Sequence, residues 1–351
     1  MKKFLFISLS FLLFIACEKA TDLPSPINEQ QEETNQEETT QGEHTSKEEF
    51  VSIELAFNWS KSPFELTKRN YKFAEEVRYG THERNLFDIV IPKSDKPIPL
   101  VIYMHGGGFT RGSKESIYRQ TDLISDFVNA GVAFATINYR YLDQTEDGVR
   151  SSLEDCKQFL QFIRYYAAEF NIDKENIACY GNSAGAGAAL WLGVHDEMAD
   201  LEHEDLIQRE SSRVKAVVAI GTQSTYDIVR WEEVFEDYDL ELQDTRFDLQ
   251  PLLNFYQVKS LDKVYSNKMK KYRKSVDMLG LMDANDAPIY AENKGKAERL
   301  RRTLDFYHHP YHAKSLKRQA EKVNLKHNII TSRADLLDDI GAVQFILNHF
   351  D

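Results

Sequence analysis

The chain has 351 residues, a formal net charge of −13, 42% hydrophobic residues and 28% charged residues. The acidic balance argues against nucleic acid as a partner, because phosphate binding depends on Lys and Arg. The length leaves room for one large core with insertions.

The start of the chain resembles a secretory signal. Residues 1–3 are a short basic start, and residues 4–16 are almost entirely apolar. This run is short for a membrane span but typical of a signal peptide. It ends just before Cys17, in a pattern that resembles a bacterial lipobox. We therefore expect a lipoprotein signal over 1–16, a lipid on Cys17, and a protein lipid-anchored in the bacterial cell envelope, periplasmic or surface-facing. An ordinary secretory signal with an incidental Cys is the alternative.

The next segment has a different composition. Residues 18–50 hold ten acidic residues against two lysines, and QEET occurs twice. Such a segment cannot bury enough apolar surface to offset its ordering entropy. We predict an acidic disordered tether over 17–50, extended by its own charge, and a folded body over 51–351.

Strand and helix patterns alternate through this body. The predicted strands are 71–79, 86–91, 100–104, 132–138, 177–180, 214–220, 288–291 and 328–331. The predicted helices are 116–129, 153–170, 184–198, 311–323 and 336–350. Alternation with short connections predicts a mostly parallel, eight-stranded α/β sheet with helices on both faces. Sites in such sheets form at the carboxyl ends of the strands.

One segment departs from the alternation. Residues 223–286 are rich in Tyr, Phe and charge and lack a clear strand pattern. We interpret the segment as a helical cap inserted over the site, because insertions of this length are usually functional. A peripheral helical decoration is the alternative. Cys156 in a predicted helix and Cys179 in a predicted strand are expected to be buried free thiols.

Two glycine-rich motifs carry the chemistry. HGGGF at 105–109 follows a predicted strand, and its bare N–H groups can bind a developing oxyanion. GNSAG at 181–185 has the G-x-S-x-G form of a nucleophile elbow. An elbow that opens a helix also directs the positive end of the helix dipole at a new oxyanion. The pair predicts Ser183 as a nucleophile; small residues that serve packing alone, with Ser183 inert, are the alternative.

These motifs carry a family resemblance. HGGGF, Asn-Tyr-Arg at 138–140, Leu-Glu-Asp at 153–155 and GNSAG occur in the order seen in α/β-hydrolases. Over about 71–351 the chain resembles the branch of hormone-sensitive-lipase-like and feruloyl-esterase-like carboxylesterases. The resemblance implies an α/β-hydrolase fold, Ser183 as the acyl-accepting nucleophile, and a structural role for His105. It also implies an oxyanion hole formed by the N–H groups of Gly107, Gly108 and Ala184.

The chain departs from this family in its acid and base. The branch places an acid after the seventh strand and a His after the eighth, but no His occurs between 328 and 348. His308, His309 and His312, from the preceding loop, are the candidate substitutes for the base. We predict His308 or His309 in this role, oriented by Asp305. The alternative is an exposed His pair beside a proline. Two further acids that precede the strand, Asp283 and Asp286, are expected to shape a turn.

No cofactor or metal is predicted. His308 and His312 are four residues apart, but no convincing third ligand accompanies them, so a zinc site is poorly supported.

These observations predict a membrane-tethered serine hydrolase. It would cleave a carboxylic ester, such as an acyl or aryl ester on a polysaccharide, through an acyl-enzyme at Ser183. The expected partners are a small-molecule or glycan ester and, through Cys17, a membrane. A catalytically impaired relative that binds an ester-like or glycan ligand is the alternative, because nucleophile and base act as a unit. A lipoprotein that uses the fold only as a scaffold is the third reading.

Overall fold

A computed structural model describes residues 53–67, 70–243, 248–294, 303–332 and 334–351. The predicted signal over 1–16, the lipid site at Cys17 and the tether over 17–50 lie outside the described residues. No helix in the described ranges is long and apolar enough to cross a membrane.

Nine strands form one sheet. They are β1 (Trp59–Ser60), β2 (Tyr71–Arg78), β3 (Leu86–Pro92), β4 (Ile98–Met104), β5 (Ala133–Ile137), β6 (Ile172–Asn182), β7 (Val217–Ile220), β8 (Ile289–Glu292) and β9 (His327–Ile330). Their order across the sheet is β1-β2-β3-β5-β4-β6-β7-β8-β9. The pairs β1–β2, β2–β3 and β3–β5 are antiparallel. All pairs from β5 to the β9 edge of the sheet, beginning with β5–β4, are parallel.

The described residues include eleven α-helices. They are α1 (Thr121–Asn129), α2 (Val149–Tyr165), α3 (Ala184–Gly193), α4 (Trp231–Val234), α5 (Gln250–Leu253), α6 (Leu261–Val264), α7 (Asn267–Ser275), α8 (Met278–Leu281), α9 (Thr303–Tyr307), α10 (Pro310–Val323) and α11 (Ala342–Leu347). Short 3₁₀ turns lie between several of them.

The sheet is covered on both faces, as the alternation predicted. Strand β4 shows why, because successive side chains of a strand point to opposite faces. Leu100, Ile102 and Met104 belong to the cluster that also holds buried residues of α2, α3 and α10. Val101 and Tyr103 belong to the other cluster, with buried residues of α1 and α11. The predicted fold class is confirmed, with one strand more than predicted, the two-residue β1.

The segment between β7 and β8 contains five short helices, α4 to α8. Its core is aromatic: Trp231 is fully buried and donates from Nε1 to the carbonyl of Thr225. Phe255 and Tyr256 are also buried. The segment that was predicted as a helical insertion is thus helical in its described residues.

Several predicted boundaries differ from the structure. Strand β6 begins at Ile172, five residues before the prediction, and α3 ends at Gly193, five residues before its predicted end. The first part of β6 was not predicted, because residues 173–175 are charged and have no strand pattern. Cys156 and Cys179 are buried and free, as predicted.

Candidate active site

Ser183 lies at a sharp bend between β6 and α3. Its backbone has φ 53° and ψ −117°, a region that residues other than glycine rarely adopt. The bend is held by two backbone hydrogen bonds: the Ser183 N–H donates to Ile220, and the Gly187 N–H donates to Ser183. Strain of this kind costs about 1–3 kcal/mol and persists where the surroundings impose it. The GNSAG segment therefore forms the elbow that its sequence predicts.

The glycines of the elbow are required by contact with the backbone. A Cβ on Gly181 would lie 2.1 Å from the carbonyl oxygen of Gly185. A Cβ on Gly185 would lie 2.0 Å from the carbonyl oxygen of Met104, at the end of β4. Neither contact can be relieved by a side-chain movement, because both partners are backbone atoms. The two glycines bring the start of α3 against the end of β4.

The HGGGF loop follows β4 and lies beside the elbow. A Cβ on Gly106 would be 3.1 Å from the Cβ of Ser183, and Gly107 and Gly108 have φ values of 122° and 63°. Within the described part of the chain, the N–H groups of Gly107 and Gly108 donate to no protein acceptor. Ala184 is the first residue of α3, so its N–H has no partner within the helix. All three residues line the same cavity as Ser183.

His105, the first residue of this loop, holds it in place through its ring. Its ring stacks on Tyr139 at 4.3 Å between centroids, and its Nδ1 donates to the carbonyl of Gly106 at 2.7 Å. Burial lowers the pKa of His105 to about 4, so the ring is neutral near pH 7. Arg84 adds a second anchor, donating to the carbonyls of Tyr139 and Gly112. This arrangement agrees with the structural role that the resemblance implied for His105.

The side chain of Ser183 is paired with His308. The Oγ of Ser183 lies 2.8 Å from the Nε2 of His308, although the two residues are 125 positions apart. His308 occupies the turn between α9 and α10 and is partly exposed. Desolvation by the surrounding protein lowers its pKa below 6.5, which favours the neutral ring that can accept a proton.

The other predicted partners lie elsewhere. His309 is buried and caps α10: its Nδ1 accepts from the N–H of Tyr311, and its Nε2 lies 3.2 Å from the hydroxyl of Tyr238. Asp305 lies in α9 and does not hydrogen-bond to His308, whose partner among the described residues is Ser183 alone. The geometry therefore brings His308 to Ser183 and gives no support to the base role predicted for His309 or the orienting role predicted for Asp305.

The reason is the direction of the chain at the turn. His309 is directed back along α10 as its N-cap, whereas His308, one residue earlier, faces the ends of β6 and β7. The sequence alone does not show that the side chains of these two adjacent residues point in different directions.

The loop after β9, where the family resemblance placed a His, contains none. Asp335 takes up this position and accepts hydrogen bonds from the N–H groups of Thr331 and Ser332 and from Lys317. These donors hold the pKa of Asp335 well below its ordinary value. Asp283 and Asp286 form a turn before β8, as expected, with the Asp283 N–H donating to Asp286.

A cavity of about 640 Å³ opens above Ser183. The helical segment between β7 and β8, predicted as a cap, contributes Pro251 and Phe255 to its wall. The polar side chains of the wall are Thr110, Arg111, Gln223, Asp248, Gln250 and Asn254. The wall therefore combines apolar rings with several polar side chains, and polar groups of this kind fix the orientation of a bound small molecule. In the described ranges, no cluster of three or more His, Cys, Asp or Glu side chains could hold a metal ion.

Sequence reasoning missed two residues near His308, Gln223 and Asn293. Asn293 directly follows β8, where the family resemblance placed an acid, and its amide binds the backbone instead. The sequence shows that Asn293 stands where the family has an acid, but it does not show which groups the Asn293 amide binds. Gln223 follows β7 and lines the cavity.

Comparison with known proteins gives partial matches. A family model described as BD-FAE matches residues 87–246. A probable isoprenylcysteine alpha-carbonyl methylesterase from Arabidopsis thaliana is 27% identical over 177 residues, which are 48% of this chain and 35% of that protein. Juvenile hormone esterase from Tribolium castaneum is 27% identical over 136 residues, covering 36% of this chain and 22% of that protein. The chain thus spans only a minor part of the curated relatives it matches.

A solved structure matches more of the chain. A truncated form of a carbohydrate esterase from gut microbiota has a TM-score of 0.60 and 17% identity, covering 81% of this chain and 98% of that one. At this identity the likeness shows the fold, which is the α/β-hydrolase fold. Together the matches support the α/β-hydrolase carboxylesterase family that the sequence motifs resemble.

Proposed function

We propose that this protein is a serine carboxylesterase in which Ser183 and His308 carry the reaction. The observation that supports this most directly is the 2.8 Å separation of Ser183 Oγ and His308 Nε2, beside N–H groups without protein acceptors. A hydroxyl becomes a useful nucleophile when a base takes its proton within this distance.

In the proposed mechanism, His308 accepts the proton of Ser183 as Oγ attacks the ester carbonyl. The N–H groups of Gly107, Gly108 and Ala184 stabilise the oxyanion that forms. His308 then protonates the leaving alcohol, and the acyl group stays on Ser183. A water molecule, deprotonated by His308, releases the acid and restores both side chains.

The proposed substrate is an ester of a polar alcohol, such as an acyl or aryl ester on a glycan. The cavity offers amide and charged groups beside the rings of Phe255 and Tyr307, a combination that suits a sugar better than a fatty chain. The carbohydrate esterase among the similar structures agrees with this proposal. We further propose that a lipid on Cys17 tethers the body over 51–351 to a membrane of the cell envelope through residues 17–50.

A second candidate function is ligand binding without turnover. It is favoured by one observation: among the described residues, no carboxylate hydrogen-bonds to the ring of His308. In Ser-His-Asp triads a carboxylate on Nδ1 orients the imidazole and stabilises its protonated form.

Reaction with a fluorophosphonate probe separates the two candidates. We expect the wild-type protein to be labelled and Ser183→Ala to remain unlabelled, with ester turnover reduced by several orders of magnitude. Ser332→Ala removes an exposed serine in the loop after β9 and should label like wild type. Absence of labelling in the wild type, under conditions where a control esterase reacts, would favour the binding candidate.

A further inference from the structure

The turn that carries His308 is held by three side chains from outside it. The carbonyl of Phe306 faces His312 Nε2 at 3.0 Å, and the carbonyl of Tyr307 accepts from Gln223 Nε2. On the other side of His308, the carbonyl of His309 accepts from Asn293 Nδ2 at 3.0 Å. Backbone carbonyls on both sides of the base are therefore fixed.

Two of these side chains are tied to the ends of β7 and β8. Asn293, directly after β8, accepts from the N–H of Thr222 at 3.1 Å and donates to its carbonyl at 2.9 Å. Gln223 follows Thr222 in the chain, after β7. Asn293 and Gln223 are almost completely buried, with 7% and 4% of their surfaces exposed. The turn is thus connected to the end of β7, whose Ile220 also accepts from the N–H of Ser183.

The third side chain, His312, has a defined proton position. The N–H of Ser224 donates to its Nδ1 at 3.1 Å, so Nε2 carries the proton and donates to Phe306. Burial lowers the pKa of His312 to about 3, which keeps the ring neutral. His312 therefore acts as a fixed donor over the physiological pH range.

These contacts matter because the ring of His308 makes a single hydrogen bond within the described ranges. In a triad the ring is oriented through its second nitrogen by a carboxylate. Here the direction of the ring follows from the backbone of the turn. A misplacement of about 1 Å can cost about 100-fold in rate.

We propose that Gln223 and Asn293 are positioning residues that hold His308 against Ser183 by binding the backbone on either side of it. The proposal rests on the proposed esterase function. In this arrangement two neutral amides take the place of the orienting carboxylate. They fix the position of the imidazole and add no charge beside it. Their removal should therefore lower kcat while leaving the pH midpoint of kcat/KM unchanged. KM should also stay unchanged for the Asn293 variant, because Asn293 is not among the residues that line the cavity above Ser183.

The test is a double-mutant cycle on the full chain. In the wild-type background, Gln223→Ala and Asn293→Ala should each lower kcat for a soluble ester, and the rate constant of fluorophosphonate labelling, by about tenfold or more. In the His308→Ala background, with added imidazole as the base, the same changes should cost less than about twofold, because no tethered ring remains to be positioned.

Gln161→Ala is the matched control, since its buried amide also donates to two backbone carbonyls, those of Gln208 and Glu210. It should lower the melting temperature without lowering the labelling rate. Equal losses in both backgrounds, or no loss in either, would overturn the positioning role. Failure of the proposed function is distinguishable, because then the wild-type protein itself would show no labelling that depends on Ser183.

Discussion

At the scale of single residues, the site depends on one pair brought together from distant parts of the chain. Ser183 is held at a strained backbone angle by its neighbours, and His308 reaches it from the turn between α9 and α10. The neighbouring His309 is occupied as a helix cap. Adjacent residues of the same type thus make different contacts: His308 pairs with Ser183, and His309 caps α10.

A pH profile of kcat/KM tests this division. His308 must be unprotonated to act as a base, and its pKa is lowered from 6.5. Activity should therefore persist below pH 6.5 and be lost as the pH falls through the lowered pKa. His309→Ala should keep that midpoint and lower stability by about 1 kcal/mol through loss of the cap. His308→Ala should remove the acidic limb together with most activity; the opposite assignment would be indicated if His309→Ala removed it.

At the scale of elements, the cap and the body meet at the start of α2. Gly148 lies just before this helix with φ 58° and ψ −141°, and a Cβ there would be 2.1 Å from the carbonyl oxygen of Phe255. Tyr272 joins the same contact, because its hydroxyl lies 3.0 Å from that carbonyl and 2.7 Å from the carbonyl of Asp147. Since Phe255 lines the cavity, the packing of this junction determines the shape of the pocket.

Gly148→Ala should displace the cap, while Gly131→Ala serves as its control. Both glycines have positive φ, but a Cβ on Gly131 would meet nothing within 4 Å. We expect Gly148→Ala to cost about 1–3 kcal/mol more in unfolding free energy than Gly131→Ala, from overpacking. We also expect a raised KM for the proposed ester substrates in Gly148→Ala only. Urea unfolding and steady-state kinetics measure both effects, and indistinguishable variants would show that the junction tolerates the extra atom.

At the scale of the whole molecule, the chain combines an acidic leading segment with a large α/β-hydrolase body. No helix among the described residues could cross a membrane. The proposed attachment depends on the apolar run at 4–16 and on Cys17. The acidic tether predicted over 17–50 would let the body reach esters away from the membrane surface.

Replacing Cys17 by Ser tests the attachment. The wild-type protein should be recovered in the membrane fraction, and Cys17→Ser in the soluble fraction or unprocessed. Turnover of a soluble ester per molecule should change by less than about twofold, because the lipid supplies membrane affinity and not chemistry. Equal partitioning of the two proteins would rule out the lipid anchor.

The sequence by itself determined the features that depend on neighbours in the chain. The elbow at Ser183 and the glycine loop at 105–109 are contiguous segments whose small residues permit backbone contacts that larger ones forbid. The alternation of strands and helices likewise follows from local periodicity. These signals were sufficient to predict the fold and the sharp bend at Ser183.

Which His reaches Ser183 depends on the three-dimensional arrangement of the chain. His308 and His309 are adjacent and chemically identical, yet His308 lies against Ser183 and His309 caps α10. The amides of Gln223 and Asn293, which follow β7 and β8, bind the backbone on either side of His308. No local pattern encodes such contacts, because the donors are buried amides that bind backbone and leave no periodic signal. The partner of Ser183 could be identified only once the ends of β6, β7 and β8 were placed beside one another.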